Sequence, residues 1–257
     1  MTTNETLQKN TETETETDKQ KTFYLDLAEK QIFELTNNGS SFIELSFLPN
    51  DLINYSLQFF QQLFELHPEY RHNVILKGTN CNNEVHRWQK SYLNTPTYDP
   101  NDDYFAKKSY MYSGIDDTQN NNKLPNLFKP FYNFAKLMDA RYNQVIVNWY
   151  DEDDYIDFHR DCQRKMQKDV PILIMNLNED DNKNCRNFEL IPCNDDVDAI
   201  NKTVSVQLVN GLVIKMCGKT QEEFRHGIRK TDNAKKRISI SFRAFDEEEL
   251  KAPSATE

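Results

Sequence analysis

The sequence predicts an α+β protein with a dominant antiparallel β core, either a sandwich or a jelly roll. Three observations predict it. From residue 144 onward the chain falls into short β-rich segments with no helical period between them. Two apolar stretches at helical spacing come before that series. An Asn-Gly pair, Asn210–Gly211, sits between two alternating segments, the strongest short-range hairpin signal. Helices first and strands second place the class at α+β.

The elements follow in order. Residues 1–21, with "TETETETDKQ", are polar and almost without apolar bulk, so a disordered arm is expected. "FIELSF" (42–47) alternates like a strand. In the stretch after it, Leu52, Tyr55, Phe59, Leu63 and Leu66 recur at helical spacing, with Asn50 or Asp51 available as a cap. "NNNKLPN" (120–126) reads as a loop. Residues 127–139 read as a second amphipathic helix, with Pro130 near its start. "QVIVNWY", "VPILIMNL", "NFELI", "TVSVQLV", "LVIKM" and "RISISFRAF" then supply the strands. Residues 246–257 form an acidic tail. The expected divisions are 1–21, an N-terminal helical region over 22–143, a β core over 144–245, and the tail.

Composition narrows the function classes. Six Gly and no GxGxxG or GxxxxGK[ST] argue against a dinucleotide or phosphate loop. Five cysteines, none in a CxxC pair, suggest a reducing compartment. No apolar leader opens the chain, and "VPILIM" is far too short to span a bilayer, so an intracellular protein is expected. The formal net charge is −10, which disfavours nucleic acid at first sight. Yet 225–243 carries seven bases against one acid, so a local basic face is expected on an acidic molecule; a solvated charged loop is the plainer alternative.

The chemistry starts at "DFHRDC". If that segment is extended, His159 and Asp161 point to the same side, because strand side chains repeat every two residues. His226, in "FRHGIRK", offers a second imidazole from a distant segment. Two His and one carboxylate on one face make a site with open positions for an oxidising Fe(II). In "RISISFR", Arg237, Ser239, Ser241 and Arg243 share one face, and Ile238, Ile240 and Phe242 share the other. The two arginine Cα atoms lie ~20 Å apart at ~3.4 Å per residue. The guanidiniums then leave a gap suited to a short dicarboxylate, which Arg grips in a bidentate fork.

"NWYDEDDYIDFHRD", "FRHGI" and "RISISFR", in that order and spacing, resemble the AlkB family of Fe(II)/2-oxoglutarate dioxygenases. "YMYSGIDDTQNNNKLP" is similar to the family's Tyr-x-Tyr-Ser lid segment. The resemblance covers about 87–245. It implies a double-stranded β-helix, a jelly roll, with an N-terminal lid that recognises a nucleotide. It implies His159, Asp161 and His226 as metal ligands. It places Asn148 and Tyr150 on 2-oxoglutarate, Arg237 on its distal carboxylate, and Arg243 beside Asp161. Ser239 and Ser241 stand where the family often carries Asn and Thr. Arg186 is expected in or near the pocket, Tyr110 and Tyr112 in the lid, and Trp88 as a base-stacking candidate; Trp149 should point away. The implied cofactors are Fe(II), 2-oxoglutarate and O2. The implied reaction removes an N-alkyl group from a single-stranded or flipped-out base of DNA or RNA, as in direct-reversal repair of DNA damage. A monomer is expected.

The chain departs from the family at Gln163, where nucleic-acid-repairing relatives carry Asp or Glu, and in the long polar "NLNEDDNKNCRNF". Two alternatives follow: the same chemistry on a protein or small molecule, or a catalytically idle binding module.

Overall fold

Alternating strands with one apolar face must bury that face against another layer, and here two sheets do so against each other and against helices. The computed structural model describes residues 20–23, 30–71, 73–75, 82–93, 123–161, 163, 166–180 and 185–246. The strands are β1 (Gln20–Phe23), β2 (Gln31–Glu34), β3 (Ser41–Phe47), β4 (Asn73–Ile75), β5 (Asn82–Glu84), β6 (Trp88–Leu93), β7 (Gln144–Tyr150), β8 (Ile156–His159), β9 (Ile172–Asn178), β10 (Asn187–Pro192), β11 (Thr203–Gln207), β12 (Leu212–Gly218), β13 (Phe224–Ile228) and β14 (Arg237–Arg243). Helix α1 spans Asn50–Phe64, α2 Lys129–Met138 and the single turn α3 Thr220–Glu223.

The large sheet runs β2-β3-β12-β9-β14-β7-β6 and the small sheet β1-β11-β10-β13-β8; β4 and β5 form a separate ribbon. All pairings are antiparallel except β1 with β11. The two facing sheets make a jelly roll. One face of the large sheet (Ile238, Ile240, Phe242, Trp149, Leu177) lies under α1 and α2. Its other face meets the small sheet around Leu190, Val206 and Ile214. No helix among the described residues is long and apolar enough to cross a membrane.

Three expectations change. The large sheet draws β2, β3 and β6 from before residue 144, so helices and strands interleave along the chain. The α1 cap is Pro49, whose carbonyl receives the Leu52 and Ile53 amides at 2.9 and 3.0 Å; no side chain caps the helix. Asn210–Gly211 is not a hairpin, since β11 belongs to the small sheet and β12 to the large one. The turn is a corner between sheets. Gly211 takes φ +80°, and an added Cβ would lie 2.7 Å from the Ile53 side chain, so glycine is required there. The sequence signal marked the turn correctly; only the pairing, which depends on distant strands, differs.

Candidate active site

His159 ends β8, Asp161 follows two residues later, and His226 lies on β13 directly opposite His159 in the antiparallel register. Gly227 permits that closeness. An added Cβ would meet the Ile156 carbonyl oxygen at 3.0 Å and the Phe158 amide at 3.1 Å. The two imidazole centroids are 4.4 Å apart. One ligand atom from each of His159, Asp161 and His226 lies within 4.8 Å of the others, a spacing that could hold a metal ion.

The surroundings orient each group. His159 Nδ1 meets the Asp157 carbonyl at 2.8 Å, which leaves Nε2 to face Asp161 Oδ1 at 3.7 Å. The Asp161 amide donates to Gln221 Oε1 at 3.0 Å, and Oδ2 accepts from Arg243 Nη2 at 2.9 Å. Burial alone would push the Asp161 carboxyl up, but Arg243 and the two imidazoles outweigh it and hold the group well below the usual carboxylate range. Burial pushes His159 down, and burial with the neighbouring His159 ring pushes His226 down to about 3. Both imidazoles are therefore neutral at pH 7, the form that binds metal. His226 Nδ1 is buried without a partner.

The same cavity, about 550 Å³ including its open mouth, is floored by the large sheet. Arg237, Ser239, Ser241 and Arg243 of β14 line it, with Asn148 and Tyr150 of β7. Register explains the set: Arg237 pairs with Tyr150 and Ser239 with Asn148, so their side chains share a face. Ile156, Phe188 and Ile228 form the apolar wall opposite. Arg237 is buried, its Nε donates to Asn176 Oδ1, and its Nη1 has no partner. The Tyr150 ring lies 4.6 Å from its guanidinium carbon. No carboxylate among the described residues lies within ion-pair distance of it. A buried cation with an unfilled donor fits an incoming carboxylate. Two neutral imidazoles beside an ionised carboxylate fit a divalent cation with positions left open.

Not every expected residue comes to the cavity. Arg186 does not line it. Its guanidinium donates to the backbone carbonyls of Asp154, Lys235, Asp151 and Glu152, so it fastens loops behind the site. Trp88 sits on the helix side of β6, opposite Trp149 in register, stacked on His67 at 4.2 Å and capped by Arg71 at 4.2 Å. The strand alternation that aims Trp149 away from the cavity aims Trp88 away too. Gln163 lines a separate depression with Met166, Gln167 and Gln221. Tyr110 and Tyr112 lie outside the described residues. The basic stretch over 225–243 is thinned: Arg237 and Arg243 are inside, Arg229 pairs with Glu189 and Lys230 with Asp153, while Arg225 and Lys235 stay exposed.

Sequence reading missed Arg87, Gln89, Asn176 and Gln221. Arg87 lines the cavity, donating from Nε to Asn148 Oδ1 and from Nη2 to Gln89 Oε1, both at 2.9 Å. Alternation in "HRWQK" could have put Arg87 and Gln89 on one face, but not opposite Asn148.

The model of the 2OG-Fe(II) oxygenase superfamily matches residues 46–243, most of the chain. No curated protein matches it. Among solved structures, an oxidoreductase of the 2OG-Fe(II) oxygenase family from Burkholderia pseudomallei is 12% identical with a TM-score of 0.44, covering 78% of this chain and 84% of that one. A structure of OsALKBH1 is 14% identical with a TM-score of 0.47, covering 84% and 100%. The extent of the family match settles the class: this chain belongs to the 2OG-Fe(II) oxygenase superfamily, dioxygenases that use Fe(II), 2-oxoglutarate and O2.

Proposed function

We propose that this dioxygenase oxidatively removes N-alkyl groups from bases of DNA or RNA, with His159, Asp161 and His226 holding the iron. The observation that carries the site reading is the convergence of those three side chains and the unpaired Arg237 on one cavity. The nucleic-acid substrate rests on the order and spacing of Asn148-x-Tyr150, His159-x-Asp161, His226 and Arg237 through Arg243, which resemble the AlkB pattern.

When bound, iron with 2-oxoglutarate and O2 supplies an oxidant able to hydroxylate a C–H bond. The residues of this chain prepare that chemistry. Arg237 fixes one end of the dicarboxylate, and Tyr150 lies against the same guanidinium. Arg87 holds Asn148 Oδ1, so the Asn148 amide presents its N–H donors elsewhere in the cavity. Arg243 keeps Asp161 ionised and oriented. Ile156, Phe188 and Ile228 keep that wall dry. Hydroxylation of an N-methyl group gives a hemiaminal, whose collapse releases formaldehyde and the unmodified base.

The test is a panel of methylated single- and double-stranded DNA and RNA oligonucleotides with Fe(II) and 2-oxoglutarate, read by mass spectrometry. Demethylated base and succinate in equal amounts are expected. Succinate production that no oligonucleotide stimulates would overturn the substrate assignment. The second reading, the same chemistry on a protein or small molecule, is favoured by one observation: four of the seven bases over 225–243 are ion-paired or buried in the cavity. Oligonucleotide binding that stays absent at low salt selects it.

A further inference from the structure

Arg237 has only neutral hydrogen-bond partners, although the Arg87 and Arg186 guanidiniums lie within electrostatic range of it. Its Nε donates to Asn176 Oδ1 on the neighbouring strand β9. The Asn176 amide cannot turn round, because its Nδ2 donates to the carbonyls of Leu208 at 3.0 Å and Val209 at 2.7 Å and to Asn178 Oδ1 at 3.1 Å. Asn178 is held in turn: its Nδ2 reaches the Leu208 carbonyl at 2.7 Å and Cys185 Sγ at 3.5 Å, and its backbone amide donates to Asn210 Oδ1 at 3.0 Å. Asn176 is fully buried and Asn178 nearly so. The Cys185 thiol lies within electrostatic range of Arg237, and burial pushes its pKa up to about 11, so it is uncharged at neutral pH. These residues come from "NLNEDDNKNC", the polar stretch that departs from the family's short Gly turn.

We propose that Asn176, Asn178 and Cys185 form a neutral cradle that positions Arg237 without neutralising it, so that its charge is balanced only when the distal carboxylate of 2-oxoglutarate arrives. A carboxylate in place of Asn176 would pair with the guanidinium permanently and compete with the incoming dianion. An amide supplies the same acceptor oxygen without the charge. Asn176 is thus a positioning residue acting through Arg237, and the inference rests on the assignment of Arg237 to 2-oxoglutarate.

The experiment measures 2-oxoglutarate binding by calorimetry on the full chain loaded with Mn(II), so that no turnover occurs, with Mn(II) affinity recorded in parallel. Asn176→Asp and Cys185→Asp are each expected to weaken 2-oxoglutarate binding by about 10- to 100-fold, the scale of one charge-assisted hydrogen bond. Mn(II) affinity should not move. Asn176→Ser, which also loses the amide donors but adds no charge, should weaken binding far less. Cys185→Asp removes none of those donors and decides the matter alone if Asn176→Asp does not fold. Arg237→Met separates the two layers. Unchanged binding in that variant refutes the Arg237 assignment. Weakened binding there, with wild-type binding in the Asp variants, overturns the cradle. Equal losses in Asn176→Ser and Asn176→Asp, with Cys185→Asp unaffected, would also overturn it, by showing that shape rather than charge is at work.

Discussion

The two arginines of β14 stand at opposite ends of one strand, on one face, in a sequence that reads almost the same in both directions. Their surroundings differ completely. Arg243 has an ionised partner in Asp161 at 2.9 Å. Arg237 has the Asn176 amide and the Tyr150 side chain, which hydrogen-bonds it and lays its ring beside it, and Nη1 is left over. One guanidinium holds the carboxylate of a group that could ligate a metal. The other, on the proposed assignment, receives the distal carboxylate of 2-oxoglutarate. Identical side chains in identical strand positions acquire opposite roles through neighbours that are remote in sequence.

The largest effect that could break this contrast is on stability. Arg243→Met leaves Asp161 buried and unpaired, so unfolding free energy should drop by about 3–5 kcal/mol, with metal binding lost alongside. Chemical denaturation and Mn(II) titration check both. Arg237→Met should do the reverse: stability unchanged or slightly raised, because a buried charge without an acid partner disappears. Its 2-oxoglutarate affinity should fall by about 100-fold, measurable by calorimetry. If the two variants lose stability equally, the contrast between the ends is gone.

Acid sharpens the comparison at the Arg243 end alone. His226 titrates near 3 when folded, against an ordinary histidine value of about 6.5 in the unfolded chain. Between those values the unfolded chain binds a proton that the folded site refuses. Stability of the metal-free protein is therefore fully present above pH about 6.5 and lost as pH falls toward 3. His159 shifts in the same direction. Melting temperatures in chelator should hold above pH about 6.5 and fall steadily from there to pH 5; a flat profile across that range contradicts neutral, buried imidazoles. The smallest effect is expected at Trp88, on the far face from both arginines. Trp88→Phe should cost about 1 kcal/mol of stability and leave substrate KM unchanged, as judged from denaturation and steady-state rates.

What could be read without coordinates follows from the range of the interactions. The His159–Asp161 pair and the faces of β14 are local consequences of a period of two, and the structure brings these side chains to a single cavity. Asn210–Gly211 was legible as a turn but not as a corner, because the φ of Gly211 is local while the choice of sheet belongs to β3, β9 and β10. Trp88 faces the helices instead of the cavity, and Arg186 lies behind the cavity, over the Tyr150 ring, for one reason. A cation or an indole can be satisfied by backbone carbonyls, by another ring or by an acid far along the chain, and none of those partners is visible in the residue itself. Arg87 and Asn176 went unseen because their roles exist only across strands.

The corner at Asn210–Gly211 has a mechanical consequence. The Gly211 amide donates to the Asn176 carbonyl at 2.8 Å, while the carbonyls of Leu208 and Val209 receive the Asn176 side chain. The segment that carries the chain from one sheet to the other is thus riveted, through a single residue, to the arginine at the cavity floor. The sheets cannot shear past one another at that point without dragging Arg237 along. On the proposed assignment of Arg237, a loop grafted into the corner, however far from the mouth of the cavity, would be felt first as a change in grip on a dicarboxylate.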